Sequence, residues 1–429
     1  MKNGQGTASG GGMLAINGLR QVAGSEGGET KDGTISSTMK TIAECSCKFA
    51  IDYLKRHFKE NSEKNMILSP ICVELALISL YAGCRGTTAE QIRQVLRFPL
   101  TETETSTDVP FLGSPCDKSG GVYNHWKKVM SAIIQHSESY RLKIAHRQFV
   151  LKTFEVLQSY RSCIKELCNS EVESVDFVNA TEKVRKQMNS WFESQTHGVI
   201  SNVLTANSIQ SSCLLLSASA VYFKGMWNSQ FNPMETHQAA FWTSKDQSIY
   251  VEMMTQRGNF NTVTITTPSM KVLEFPHENE DICSYFFIPD GRVTTDEIIQ
   301  ILSYEKFQEW TSPENMRNIP AKVYVPKLKM TDDYSMKSDL ATMGVTEMFM
   351  PERANLSGIS GKPGLYVTDM RIKTYFEMSE EGAVAAGASR AEIGHGSHSK
   401  VKCNRPFIII VIYKPLRVIL FFFRICKPQ

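Results

Sequence analysis

Glu380-Glu381-Gly382-Ala383-Val384-Ala385-Ala386-Gly387-Ala388-Ser389-Arg390-Ala391-Glu392-Ile393 is the stretch that decides the fold. With the two-residue period of a strand, one face carries Ala383, Ala385, Gly387, Ser389, Ala391 and Ile393, and the other carries Val384, Ala386, Ala388, Arg390 and Glu392. Every charge after Gly382 therefore falls on one face. Side chains this small anchor a permanent strand poorly, yet they pass easily between two strands that already exist. Taken alone, the segment fits a flexible Ala/Gly linker equally well, so the rest of the chain has to decide.

The 429 residues are 42% hydrophobic and 21% charged, which excludes collagen, coiled coil and wholesale disorder. Forty-seven Lys and Arg against 44 Asp and Glu leave a formal charge of +3, too small for a general nucleic-acid binder. Eleven cysteines, an odd number without repeated spacing, give no disulfide framework and favour a reducing compartment. Residues 1–38 are rich in Gly, Ser and Thr, and their longest apolar run, Met13-Leu14-Ala15-Ile16, is too short for the centre of a signal peptide. The expected organisation is a disordered tail over 1–38 and one domain over 39–429, cytoplasmic, with the extracellular space as the alternative. Residues 407–423 are almost wholly apolar, but Lys414, Pro415 and Arg417 break the run in the middle. A hairpin of two buried strands explains it better than a membrane span.

Outward from these landmarks, helices come first. Thr41-Ile42-Ala43-Glu44 has the form of a capping box ahead of an amphipathic pattern. Ser69-Pro70 opens an apolar helix that stops at Gly83, and Thr87-Thr88-Ala89-Glu90 starts another. Residues 100–121 read as a surface loop, and further helices are expected over 154–168 and 181–195. Strand patterns follow over 213–223, 285–289 and 323–328. Helices first and strands later, without alternation, predict an α+β domain.

Catalytic signatures are absent: there is no Gly-x-Ser-x-Gly elbow, phosphate-binding loop, zinc helix or Cys-x-x-Cys pair. Gly394-His395-Gly396-Ser397-His398 sets a serine beside histidines, but such a Gly-flanked polar stretch is an exposed loop far more often than a triad. Cys45-Ser46-Cys47 sits in a helix pattern, where buried thiols are expected. The chain is expected to be no enzyme and to need no cofactor or metal.

Glu380-Glu381-Gly382-Ala383-Val384-Ala385-Ala386-Gly387-Ala388 resembles the hinge of the serpins. Asn65-Met66-Ile67-Leu68-Ser69-Pro70 and Tyr81-Ala82-Gly83-Cys84-Arg85-Gly86-Thr87-Thr88 are similar to their second helix and its exit. Ala220-Val221-Tyr222-Phe223-Lys224-Gly225-Met226-Trp227 resembles the central strand of their large sheet, and Cys403-Asn404-Arg405-Pro406-Phe407 with Cys426-Lys427-Pro428 their closing signature. The likeness runs in order from about residue 40 to the end.

That resemblance implies a single domain of three sheets and eight or nine helices with an exposed reactive-centre loop. It also implies a monomeric suicide inhibitor of a serine endopeptidase, or of a cysteine protease, that traps its target as a covalent acyl-enzyme. Residues 383–396 number fourteen and would span about 48 Å as a strand. Family spacing places the cut bond at Gly396-Ser397 counted from Gly382, or at His395-Gly396 counted back from Pro406. The family's polar cluster beneath the sheet is altered: Cys72 follows Ser69-Pro70-Ile71 where a serine is usual, Ser219 replaces an asparagine and Ile372 a histidine. With Ser69, Lys224 and Trp227, these positions form the expected sheet-opening region. Lys127, Lys128, Arg141, Lys143, His146 and Arg147 lie where some members bind glycosaminoglycan, but Glu138 and apolar residues interrupt them and a solvated face is the preferred reading. A serpin-like carrier, chaperone or interaction module that traps nothing is the alternative function, and a hydrolase using His395 or Ser397 a distant third.

Overall fold

A computed structural model describes residues 36–59, 64–99, 122–134, 140–278, 280–380 and 399–428. In it the first helix, α1 (Ser37–Phe58), starts ahead of the predicted capping box because the Ser36 hydroxyl accepts from the Met39 N–H at 3.2 Å. Thr41 instead turns its hydroxyl back onto the Ser37 carbonyl at 3.1 Å, and Glu44 pairs with Lys48 at 2.6 Å. Residues 37 and 38, assigned to the tail from sequence, are thus helical.

After β1 (Met66–Leu68) comes α2 (Pro70–Tyr81), buried from Pro70 to Leu80 as its apolar run predicts. In α3 (Gly86–Val95) Thr88 is no cap: its hydroxyl donates to Glu347 at 3.3 Å and accepts from the Asn355 N–H at 3.1 Å. The expected loop at 100–121 lies outside the described residues. Next come α4 (Val122–Ile134), β2 (Tyr140–Leu151), α5 (Gln158–Cys168), β3 (Glu171–Val175) and α6 (Phe177–Gln195). The last begins before Thr181 because Asp176 caps the Asn179 N–H at 3.0 Å.

Strands then dominate: β4 (Leu215–Gly225), β5 (His237–Trp242), β6 (Ser248–Ile265), β7 (Met270–Pro276) and β8 (Ile282–Pro289). After α7 (Thr295–Ile301) and α8 (Tyr304–Trp310) follow β9 (Arg317–Pro326), β10 (Leu328–Ser335), α9 (Lys337–Thr342), β11 (Asp369–Met378), β12 (Ser399–Lys402), β13 (Phe407–Tyr413) and β14 (Val418–Ile425). The last two form the hairpin read from 407–423, fully buried, while Lys414 in its turn reaches Glu274 at 2.9 Å. Among the described residues no helix is long and apolar enough to cross a membrane.

The fold is the expected mixture of helices with mixed sheets. One sheet has five strands in the order β10-β11-β4-β2-β3. The other has nine, because the 18-residue β6 pairs with β5 near its start, with β9 through its middle and with β7 at its end, merging two of the three expected sheets. Cys45, Cys47, Cys72, Cys84, Cys213, Cys283 and Cys403 are buried thiols, and burial pushes those of Cys47, Cys72 and Cys84 up to about 12.

One buried carboxyl in this core sets a pH dependence. Glu74 on α2 is 1% exposed; Ser46 donates to its Oε2 at 2.6 Å while Oε1 has no partner. Burial, opposed only by Ser46, raises its pKa from 4.5 to about 8. The folded chain therefore holds this proton more tightly than the unfolded chain does. The stability that this group allows is complete below about pH 4.5 and is lost as pH rises toward 8. Glu74→Gln is expected to stabilise the protein at pH 8 by on the order of 3 kcal/mol with little change at pH 4, as read from urea midpoints.

Candidate functional site

In the five-stranded sheet β4 and β11 run parallel and pair directly, from Asp369 opposite Leu216 to Glu377 opposite Lys224. On one face Ser217, Ser219, Val221 and Phe223 of β4 lie beside Met370, Ile372, Thr374 and Phe376 of β11. These side chains are buried, with α2 packed against both strands. The outer flanks of the pair are antiparallel, β2 on β4 and β10 on β11. A segment that followed β11 and turned back between the two strands would run antiparallel to both. It would exchange one parallel ladder for two antiparallel ones, which are slightly more stable per residue.

The chain leaves β11 through a pinned exit. The Trp227 indole N–H donates to the Ser379 carbonyl at 3.0 Å, and its ring stacks on His277 with centroids 4.8 Å apart. Gly225 is required here, since a Cβ would lie 2.3 Å from the His277 ring. His277 contacts the Ser284 hydroxyl at 2.9 Å, and burial lowers its pKa to about 3, so it is neutral. Glu380, 8% exposed, takes Lys327 Nζ at 2.9 Å and the Thr236 hydroxyl at 2.7 Å on one oxygen. Burial alone would raise its pKa, but Lys327 and Thr236 hold it below the ordinary value. The last described residue before 381–398 is thus a tethered carboxylate.

Midway along the pair, Ser219 is the register partner of Ile372 and both are buried, but among the described residues the Ser219 hydroxyl has no partner, nor has that of Thr374. Cys72 and Ser69 do not join them; Ser69 donates instead to the Leu420 carbonyl at 2.9 Å. The polar groups beneath the sheet lie on the other side of β4. His146 on β2 contacts the Ser170 hydroxyl at 2.9 Å and that of Ser217 at 3.1 Å. Gln148 donates to the Ser79 hydroxyl of α2 at 2.9 Å, and Tyr160 donates to Gln148 and to the Ser79 carbonyl, each at 2.8 Å. This network was missed in the sequence, although His146 and Gln148 share the inner face of a strand between Ile144 and Val150. Burial lowers the His146 pKa to about 4.

A family model described as Serpin (serine protease inhibitor) matches residues 44–428. The chain belongs to the serpin family. It is similar to Serpin B3 of Homo sapiens, 35% identical over 91% of this chain and 100% of the relative. Ovalbumin-related protein Y of Gallus gallus is 33% identical over the same shares. Among solved structures it is similar to uncleaved ovalbumin, with a TM-score of 0.80 at 28% identity, covering 90% of this chain and 100% of that one.

In this serpin the hinge residues Glu381-Gly382-Ala383-Val384-Ala385-Ala386-Gly387-Ala388 and the cut-site candidates His395, Gly396 and Ser397 lie outside the described residues. The basic stretch considered for glycosaminoglycan does not form one surface. His146 is buried in the sheet, Lys127 pairs with Glu166 at 3.0 Å, and Arg147 is held by Glu171 and by Glu173 at 2.9 Å, 4.0 Å above the Trp191 ring. Among the described residues no group of His, Cys, Asp and Glu is placed to hold a metal.

The adjacency of Ser219 and Ile372 makes the altered cluster testable. Ser219→Asn combined with Ile372→His is expected to show a favourable coupling of about 1 kcal/mol in a double-mutant cycle of urea midpoints, and to slow polymerisation of the intact form. Additive or destabilising effects would show that packing has replaced the polar tie.

Proposed function

We propose that this serpin inhibits a serine endopeptidase as a suicide substrate. The carrying observation is the direct parallel pairing of β4 with β11; it supports the reading together with the sequence after Glu380, where a two-residue period puts Ala383, Ala385, Gly387, Ser389, Ala391 and Ile393 on one face. In the proposed step the protease serine oxygen attacks the carbonyl carbon of His395 or Gly396. The peptide C–N bond breaks, the new amine leaves with the serine's proton, and an ester remains. Insertion of the freed strand then separates the ester from the water that would hydrolyse it. Neither candidate residue is the Arg or Lys that the acidic specificity pocket of a trypsin-like enzyme takes, so the reading favours a target with a small or undemanding pocket.

The family also contains members that inhibit nothing, and this is the second reading. The hydroxyls of Ser219 and Thr374, unpartnered along the slot, favour it, because a sheet without the usual tie is not tuned for controlled opening. An SDS-stable complex separates the two. With a panel of serine and cysteine proteases, the inhibitor reading expects a covalent band and a released peptide that begins at Ser397 or Gly396. Cleavage with full turnover and no such band supports the second reading.

The face assignment has its own test. Ala385→Arg is expected to abolish complex formation while the loop stays cleavable, because an unpaired guanidinium would be buried on insertion. Val384→Arg, on the outward face, should retain most of the activity. Equal losses in gel assays of the two variants would contradict the two-residue period.

A further inference from the structure

Lys400 on β12 lies opposite Lys322 on β9, and Lys322 lies opposite Arg257 on β6. Register partners point to the same face, so three cations stand in a row across three neighbouring strands, within about 10 Å at their Cα atoms. Lys402 adds a fourth: its Nζ lies 5.4 Å from the centre of the Tyr324 ring, and Lys322 Nζ lies 5.3 Å from the same ring. Arg257, Lys400 and Lys402 are exposed and Lys322 is half-buried. Among the described residues none of the four has a carboxylate partner, whereas Lys327, further along β9's exit, is paired with Glu380 at 2.9 Å and Glu252 at 3.7 Å. Thr255, the register neighbour of Tyr324, donates its hydroxyl to Glu235 at 3.2 Å. Like charges placed directly opposite weaken a sheet, so stability gives no reason for this row.

Its position gives one. Lys400 and Lys402 follow the cut-site candidate Ser397 by a few residues, on the strand that anchors the C-terminal side of the loop. A protease seated on that bond must cover the surface next to it. We propose that Arg257, Lys322, Lys400 and Lys402 form a docking surface for an acidic patch beside the cleft of the target protease, steering the encounter and selecting among proteases able to cut the loop. The assignment rests on the inhibitor reading for its partner, but not for its test.

Two proteases that both cut the loop are used, one acidic around its cleft and one basic. Rate constants for loop cleavage, and for covalent complex where it forms, are measured at low and high salt for the full chain and for R257S/K322S/K400S. With the acidic protease the parent is expected to react about tenfold faster than the variant at low salt, and to lose that advantage at high salt. With the basic protease the variant should be equal or faster. The cleavage rate reads the surface even if no complex forms, so failure of the inhibitor reading leaves this test intact. Equal rates and equal salt dependence with the acidic protease would overturn the proposal. So would a variant that loses only binding to a heparin oligosaccharide, which would make the row a polyanion site. An unchanged melting temperature of the variant confirms that a rate difference is not misfolding.

Discussion

Direct contact between β4 and β11 is the constraint on which the rest of this molecule depends. Two strands that run the same way pair directly here, and on the inhibitor reading proposed above a segment that follows β11 in the chain would enter between them. Each backbone hydrogen bond is worth only about 1 kcal/mol net, but a strand inserted along the pair makes bonds on both sides while breaking those on one. At the exit of β11 the chain is held by the contacts of Trp227, Lys327 and Thr236 with Ser379 and Glu380.

The polar groups under this sheet are distributed unevenly. His146, Ser170 and Ser217 tie β2 to β4, and Gln148, Ser79 and Tyr160 tie β2 to the helices beneath. Among the described residues no comparable tie crosses from β4 to β11, where Ser219 faces Ile372. The β2 side of β4 is hydrogen-bonded through buried side chains, and the β11 side relies on backbone pairing and packing. Buried hydroxyls left without partners cost stability in the form seen here.

Much of this was legible from sequence where the signal was local. The terminal hairpin showed as two apolar runs broken by Lys414-Pro415, and α2 as an apolar run behind Ser69-Pro70. Helix starts were misplaced where a side chain further upstream, Ser36 or Asp176, supplied the cap in place of the more conspicuous Thr41 or Thr181. Long-range pairing was not legible. His146 sits among basic residues in the sequence and looked like part of a surface patch; only its place opposite Ser219, with Ser217 and Ser170 in reach, makes it a buried neutral imidazole. Arg257, Lys322 and Lys400 are far apart in the chain and become a row only through strand register. The hinge reading rests on a period of two and on small side chains, which are properties of the segment's own sequence, and all of it after Glu380 lies outside the described residues.

Thermal unfolding of the intact chain beside the same chain nicked once between Ile393 and Ser397 tests the central claim most directly. If the pair is a slot for the loop, the nicked protein gains a strand and is expected to unfold about 10 °C or more above the intact one. Coincident melting curves would contradict the account, because they would mean that the freed segment does not enter between β4 and β11.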